Sequence, residues 1–222
     1  FYDLGVPKIV IEKPLIQLGL GKLYSLKFSE SRSCSIRGVR VEVENIDKNT
    51  RRNWKSIKKL ILNGNLEKRL EINIYNVFES LAIAEGRVHG ISPEEVHFHE
   101  IGGIDSLVDI IGVCAAINYL NPKKIYCNEP HLGKGFVQTE HGKLPIPSPA
   151  VIELLSKKNI KVSSTLNSME GELATPTGIA LITNFVDCYQ LPEKYAIETY
   201  GVGIGTLQFQ FPNLVRVLNI NS

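Results

Sequence analysis

The order of periodicities along the chain predicts an α/β (or α+β) fold, a mixed sheet covered by helices. Three observations carry this. Apolar and polar residues alternate over 22–28 and again over 35–44, the period of half-buried strands. Over 66–89, Ile74, Val77, Phe78, Leu81, Ala84 and Val88 recur at three- and four-residue spacing and form one apolar helical face. Extended and helical stretches then interleave to the end, the pattern of a layered α/β or α+β chain.

Taken in order, residues 1–20 mix apolar side chains with Pro7 and Pro14 and read as a broken helix. The two alternating segments predict a β-hairpin with Glu30, Ser31, Arg32 and Ser33 in its connection. The polar run 45–53 reads as an exposed loop. A helix over 54–62 stops at Asn63-Gly64-Asn65, and the long helix over 66–89 is closed by Gly90 as a C-terminal cap. Ser92-Pro93-Glu94-Glu95 predicts a capped turn with Pro93 at the first helical position. An apolar helix is expected over 105–120, strands over 124–128 and 160–163, and helices over 149–157, capped by Ser148, and 176–186. Alternate prolines rule regular structure out of 144–149, and a strand over 213–219 ends the chain.

At 222 residues and 43% hydrophobic, the chain can bury a full core, and we read 1–222 as one domain. A net charge of +2, without basic runs interleaved with aromatics, argues against nucleic acid as partner. No apolar run approaches the roughly 20 residues that span a bilayer, so no membrane insertion is expected. Cys34, Cys114, Cys127 and Cys188 lack C-x-x-C spacing, which favours reduced thiols in a cytoplasmic protein over a disulfide framework or zinc knuckle.

Chemistry concentrates in Val96-His97-Phe98-His99-Glu100-Ile101-Gly102-Gly103-Ile104-Asp105-Ser106-Leu107-Val108-Asp109. If the first part is extended, His97 and His99 share one face and Phe98 takes the other. Asp105 and Asp109, four apart, share a helical face near its N-terminus. Imidazoles with carboxylates suit Zn, Ni, Co or Fe(II) better than Ca or Mg. The competing reading is a surface stretch in which Asp105 merely caps the helix. His131 and His141, in Gly- and Pro-rich loops, are candidates to complete a coordination sphere, or are ordinary hydrogen-bonded loop residues. His89 reads as a structural residue at a helix end. Gly133-Lys134-Gly135 and Thr175-Pro176-Thr177-Gly178 are candidate anion loops, the second standing equally well as plain capping by Thr175. Gly201-Val202-Gly203-Ile204-Gly205 does not sit between a strand and a helix, so it is discounted as a dinucleotide fingerprint.

The stretch from Val96 to Asp109, together with Leu132-Gly133-Lys134-Gly135-Phe136-Val137, His141-Gly142-Lys143-Leu144-Pro145-Ile146-Pro147-Ser148-Pro149-Ala150 and Glu170-Gly171-Glu172-Leu173-Ala174-Thr175-Pro176-Thr177-Gly178, closely resembles the LarC family of nickel-insertion proteins of the lactate racemase system. The resemblance implies a nickel chelatase, or cyclometallase, of the lyase class, which inserts nickel into a pyridinium bis-thiocarboxylic acid mononucleotide to complete a nickel-pincer cofactor. It implies CTP dependence, with Mg or Mn, through a C-terminal nucleotide-binding domain. This chain resembles the N-terminal part only, so turnover is expected to need that domain or a companion polypeptide. A homo-oligomer is left open.

Set beside the resemblance, His97, His99 and Glu100 are the expected metal ligands, with His131 and His141 the loop candidates to complete the sphere. Glu100, Asp105 and Asp109 are the expected catalytic groups, the two aspartates as ligands, orienters of the imidazoles or proton acceptors. The mononucleotide phosphate is expected at the glycine loop, Gly133, Lys134 and Gly135, or at the turn with Thr175 and Thr177. Where family members often carry a histidine-rich loop, this chain has Lys48-Asn49-Thr50-Arg51-Arg52-Asn53, and the usual Arg-Pro-Asn near the end reads Phe211-Pro212-Asn213. The rival readings are a metal-dependent hydrolase using a bound water and a non-catalytic nickel metallochaperone subunit.

Overall fold

Long α3 (Lys68–His89) is the spine against which four other helices pack: α2 (Trp54–Leu62), α4 (Ile104–Leu120), α5 (Pro149–Lys158) and α6 (Pro176–Phe185). The computed structural model describes residues 1–47, 52–98, 101–163 and 169–221. The stripe on α3 is why it sits at the centre, since Ile74, Val77, Phe78 and Leu81 are all wholly buried. Its end is set by Gly90, whose left-handed backbone (φ 65°) lets the chain turn away without a side-chain clash. The first helix, α1 (Lys8–Gln17), carries Pro14 inside it and lies on α4. Helix α4 is apolar on most of its surface because α1, α3, α6 and the sheet all contact it.

The main sheet has the order β1-β2-β7-β8, formed by β1 (Tyr24–Ser33), β2 (Ile36–Asn45), β7 (Ala196–Ile204) and β8 (Leu214–Asn221). The β1–β2 and β7–β8 pairs are antiparallel and β2–β7 is parallel, so the sheet is mixed as expected. Helix α4 meets it through β2. Two small antiparallel pairs stand apart: β3 (Gly133–Lys134) with β6 (Gly171–Glu172), and β4 (Phe136–Thr139) with β5 (Gly142–Pro145).

The structure departs from the sequence reading in identifiable places. The first hairpin turns at Cys34 and Ser35, both with positive φ (46° and 68°), and Glu30 to Ser33 belong to β1. Polar residues continue the strand there because their cross-strand partners, Arg37 and Gly38 among them, complete the ladder. Neither 124–128 nor 160–163 is a strand. Each offers a single bridge, Tyr126 to Cys188 and Ser163 to His131. Leu144 and Pro145 do lie in a strand, because β5 is one edge of a two-stranded pair and can spare proline's missing donor. The Gly201 to Ile204 run forms the end of β7.

Candidate functional site

The segment after the Ser92 capping box is tied to the start of α2: Trp54 N–H donates to the Val96 carbonyl at 3.2 Å, and Asn53 bridges His97 antiparallel. This extended backbone alternates its side chains. Val96 and Phe98 are buried, at 1% and 2% exposure, while His97 faces solvent. His99 and Glu100 lie outside the described residues. Gly102 is then demanded by close approach, because a Cβ there would stand 2.6 Å from the Arg52 carbonyl oxygen and 2.8 Å from that of Phe98.

Phe98 and Ile101 form one wall of a cavity of about 280 Å³. The last turn of α3 supplies Glu85 and His89, the β4–β5 hairpin supplies Thr139 and His141, and the starts of α5 and α6 supply Ser148 and Pro176. His89 and His141 face each other with ring centroids 4.8 Å apart, inclined at 50°. Glu85 Oε2 is 3.4 Å from His89 Nε2, an i,i+4 pair across one turn of α3. His141 is held by its hairpin. Its backbone N–H donates to Thr139 Oγ1 at 3.1 Å, and that hydroxyl donates to the Gly142 carbonyl at 2.9 Å. Gly142 itself takes φ 93° to close the two-residue turn.

Imidazoles bound at about 2.1 Å to one ion at ordinary coordination angles hold their ring centroids about 5 Å apart, so the His89–His141 spacing suits a shared ion. Among the described residues no group of three or more His, Cys, Asp or Glu side chains stands ready to hold a metal. The geometry thus offers two imidazoles and a carboxylate leaning on one of them.

The other sequence candidates fall elsewhere. Neither His97 nor His131 lines this cavity. His131 is bridged through its backbone to Ser163, and its buried Nδ1 has no hydrogen-bond partner among the described residues. Asp105 and Asp109 lie on the first turns of α4 and do not line the cavity either. Asp105 does not cap that helix; Gly103 occupies the cap position, without a side-chain bond. Desolvation by the surrounding protein pushes the Asp109 carboxyl up to about 6, and the Asp105 carboxylate adds to this, although solvent still reaches the side chain.

Gly133 and Gly135 both have positive φ (80° and 95°), and Lys134 between them is exposed. Thr175 caps α6, its Oγ1 accepting from Gly178 N–H at 3.2 Å, so the capping role is realised, and Thr177 lies in the first turn beside Pro176. Ser148 departs from expectation: it sits at the cap position of α5 but its side chain makes no cap bond. His89 is the functional candidate that sequence reasoning set aside. Its available signal was Glu85-Gly86-Arg87-Val88-His89, a carboxylate and an imidazole four apart on one helix face.

The fold and the cavity together define an α/β chain with an imidazole-lined cavity walled on one side by Phe98 and Ile101. This chain belongs to the nickel insertion protein family, whose family model matches residues 1–221. Among its relatives, the pyridinium-3,5-bisthiocarboxylic acid mononucleotide nickel insertion protein of Clostridium kluyveri is 35% identical over 227 residues, covering 97% of this chain and 56% of the relative. A protein named for nickel insertion from Synechococcus sp. strain JA-3-3Ab is 37% identical over 216 residues, with 97% of this chain and 54% of the relative covered. One from Nostoc sp. strain PCC 7120 is 34% identical over 230 residues, with the same coverages of 97% and 54%. The chain therefore spans about half the length of the curated relatives it matches. No solved structure matches it. Among the described residues, no helix is long and apolar enough to cross a membrane.

Proposed function

We propose that this chain is the metal- and substrate-handling part of a nickel chelatase that inserts Ni(II) into a pyridinium bis-thiocarboxylic acid mononucleotide. The observation that carries the reading is the His89–His141 pair, 4.8 Å apart in one cavity with Glu85 against His89, in a chain matched along its whole length by the nickel insertion family. Ni(II) is the cargo. His141 and His89 receive it, and Glu85 orients His89 and raises its basicity.

His97, His99 and Glu100 are proposed as further ligands, His97 standing outside the cavity on the solvent face of the Val96 to Phe98 segment, with His131 as an auxiliary. Asp105 and Asp109 are proposed proton acceptors, a role to which the Asp109 carboxyl, pushed up to about 6 by burial, is suited. The glycine loop at Gly133, Lys134 and Gly135 and the turn at Thr175 and Thr177 are proposed contacts for the mononucleotide. In this reading CTP, with Mg or Mn, is used by a C-terminal nucleotide-binding domain or a companion polypeptide, and the chemistry takes place in the cytoplasm.

Calorimetry of Ni(II) binding tests the ligands. His89→Ala with His141→Ala, and separately His97→Ala with His99→Ala, are each expected to weaken Ni(II) by about tenfold or more, in line with the loss of metal ligands or their supports. Unchanged affinity in both double variants would sink the reading. Mass spectrometry after incubating protein, organic substrate, Ni(II), CTP and the companion domain then separates insertion from mere delivery. A covalent nickel adduct of the mononucleotide is the expected product, and unmodified mononucleotide beside nickel-loaded protein would favour the metallochaperone.

A further inference from the structure

We infer that the side of the cavity formed by the starts of α5 and α6 is an anion subsite centred on Ser148, and that it takes the phosphate monoester of the mononucleotide. The inference rests on the nickel-insertion reading for its substrate but on separate residues for its evidence. Ser148 is 6% exposed and lines the cavity, yet its Oγ has no hydrogen-bond partner among the described residues. A buried hydroxyl left unmade costs about 1–3 kcal/mol, so such a group calls for an explanation.

The position of Ser148 supplies one. It stands at the cap of α5 with extended backbone (φ −64°, ψ 153°), where a serine ordinarily accepts from the first-turn N–H groups, but the hydroxyl makes no such bond. Pro149 has no N–H to give, which leaves the N–H groups of Ala150 and Val151 as the first-turn donors beyond the reach of any intrahelical acceptor. Helix α6 begins beside the same space with Pro176, and α5 and α6 pack against each other. Neither helix carries an acidic residue in its first turn, so no carboxylate of their own competes for the positive ends of the two dipoles.

The cavity thus has two chemically different sides. His89 and His141, with Glu85 against His89, offer imidazoles to a cation, while Ser148 and the free first-turn N–H groups of α5 offer donors to an anion. A pyridinium mononucleotide has matching ends: sulfur-bearing carboxylates that ligate nickel, and a phosphate dianion at the far side of the ribose. At about 280 Å³ the space lies near the lower end of ordinary small-molecule pockets, which run from about 300 Å³ upward.

The test measures binding of nicotinic acid mononucleotide and of its dephosphorylated riboside to this chain by calorimetry, with inorganic phosphate as competitor. The wild type is expected to bind the mononucleotide about tenfold or more tighter than the riboside, as loss of a charge-assisted hydrogen-bond set predicts. Inorganic phosphate should compete with the mononucleotide and not with the riboside, and Ser148→Ala should erase most of the difference while leaving the thermal midpoint unchanged or raised. Equal affinity for the two ligands overturns the subsite, as does a Ser148→Ala loss that falls equally on both. If Ser148→Ala folds poorly, Lys134→Ala on the separate, exposed glycine loop decides: phosphate competition retained there supports the Ser148 subsite, and competition lost there overturns it. Phosphate-dependent binding combined with Ni(II) affinity indifferent to His89 and His141 upholds the subsite and sinks the nickel assignment; the reverse pattern sinks only the subsite.

Discussion

His97 and Phe98 are adjacent in sequence and opposite in fate, one in solvent and one 2% exposed, because an extended backbone sends successive side chains to opposite faces. That alternation is legible in the order of residues alone. The meeting of His89 and His141, 52 positions apart in sequence, is not, since no local periodicity encodes a contact at that separation. At this same scale Asp109 carries a pH signature. Its carboxyl is raised to about 6 in the folded chain, from an ordinary value near 4. The folded state therefore holds more protons than the unfolded one between these values, and stability falls as pH rises through that window. Asp109→Asn is expected to remove this slope and to be more stable than the wild type at pH 7.5, read from urea denaturation at pH 4.5, 6 and 7.5. A wild-type slope preserved in the variant would contradict it.

Elements position these residues. The β4–β5 hairpin presents His141 at a two-residue turn, and the β3–β6 pair fixes the glycine loop next to it, with Lys134 backbone N–H donating to the Met169 carbonyl at 3.0 Å. Gly133 and Gly135 both occupy left-handed backbone, but their surroundings differ. A Cβ on Gly133 would lie 2.0 Å from the Gly171 carbonyl oxygen, whereas one on Gly135 meets nothing within 4 Å. Gly133→Ala should consequently cost roughly 2 kcal/mol or more and speed amide exchange in β3 and β6, while Gly135→Ala should cost only the backbone strain of about 1 kcal/mol. Equal destabilisation of the two would show that the close approach does not matter. The sequence marked both glycines as punctuation. Only the pairing of β3 with β6, distant in the chain, tells them apart.

At the scale of the whole molecule, α3 joins the core to the cavity: Phe78 is wholly buried near its middle, and Glu85 and His89 lie on its final turns. Phe78→Ala is expected to cost about 3–5 kcal/mol, a large part of an ordinary domain's stability of about 5–15 kcal/mol. Because α2, α4, α5 and α6 all rest on this helix, the loss should appear as one earlier unfolding transition monitored by circular dichroism. Two separated transitions would refute a shared core.

The sequence by itself did not determine the short strands around the cavity. It did determine the main helices and the long hairpin, the mixed α/β class, the buried face of α3, the alternation of His97 and Phe98, and the family to which the chain belongs. These follow from local periodicity and from long ordered motifs, which need no knowledge of what lies opposite. Tertiary structure alone decided that the first hairpin turns at Cys34-Ser35, that the Ser148 hydroxyl goes without a partner among the described residues, and that His89 joins His141 and Glu85 around one cavity. Those outcomes depend on distant segments competing for the same donors and the same space, and packing decides that competition.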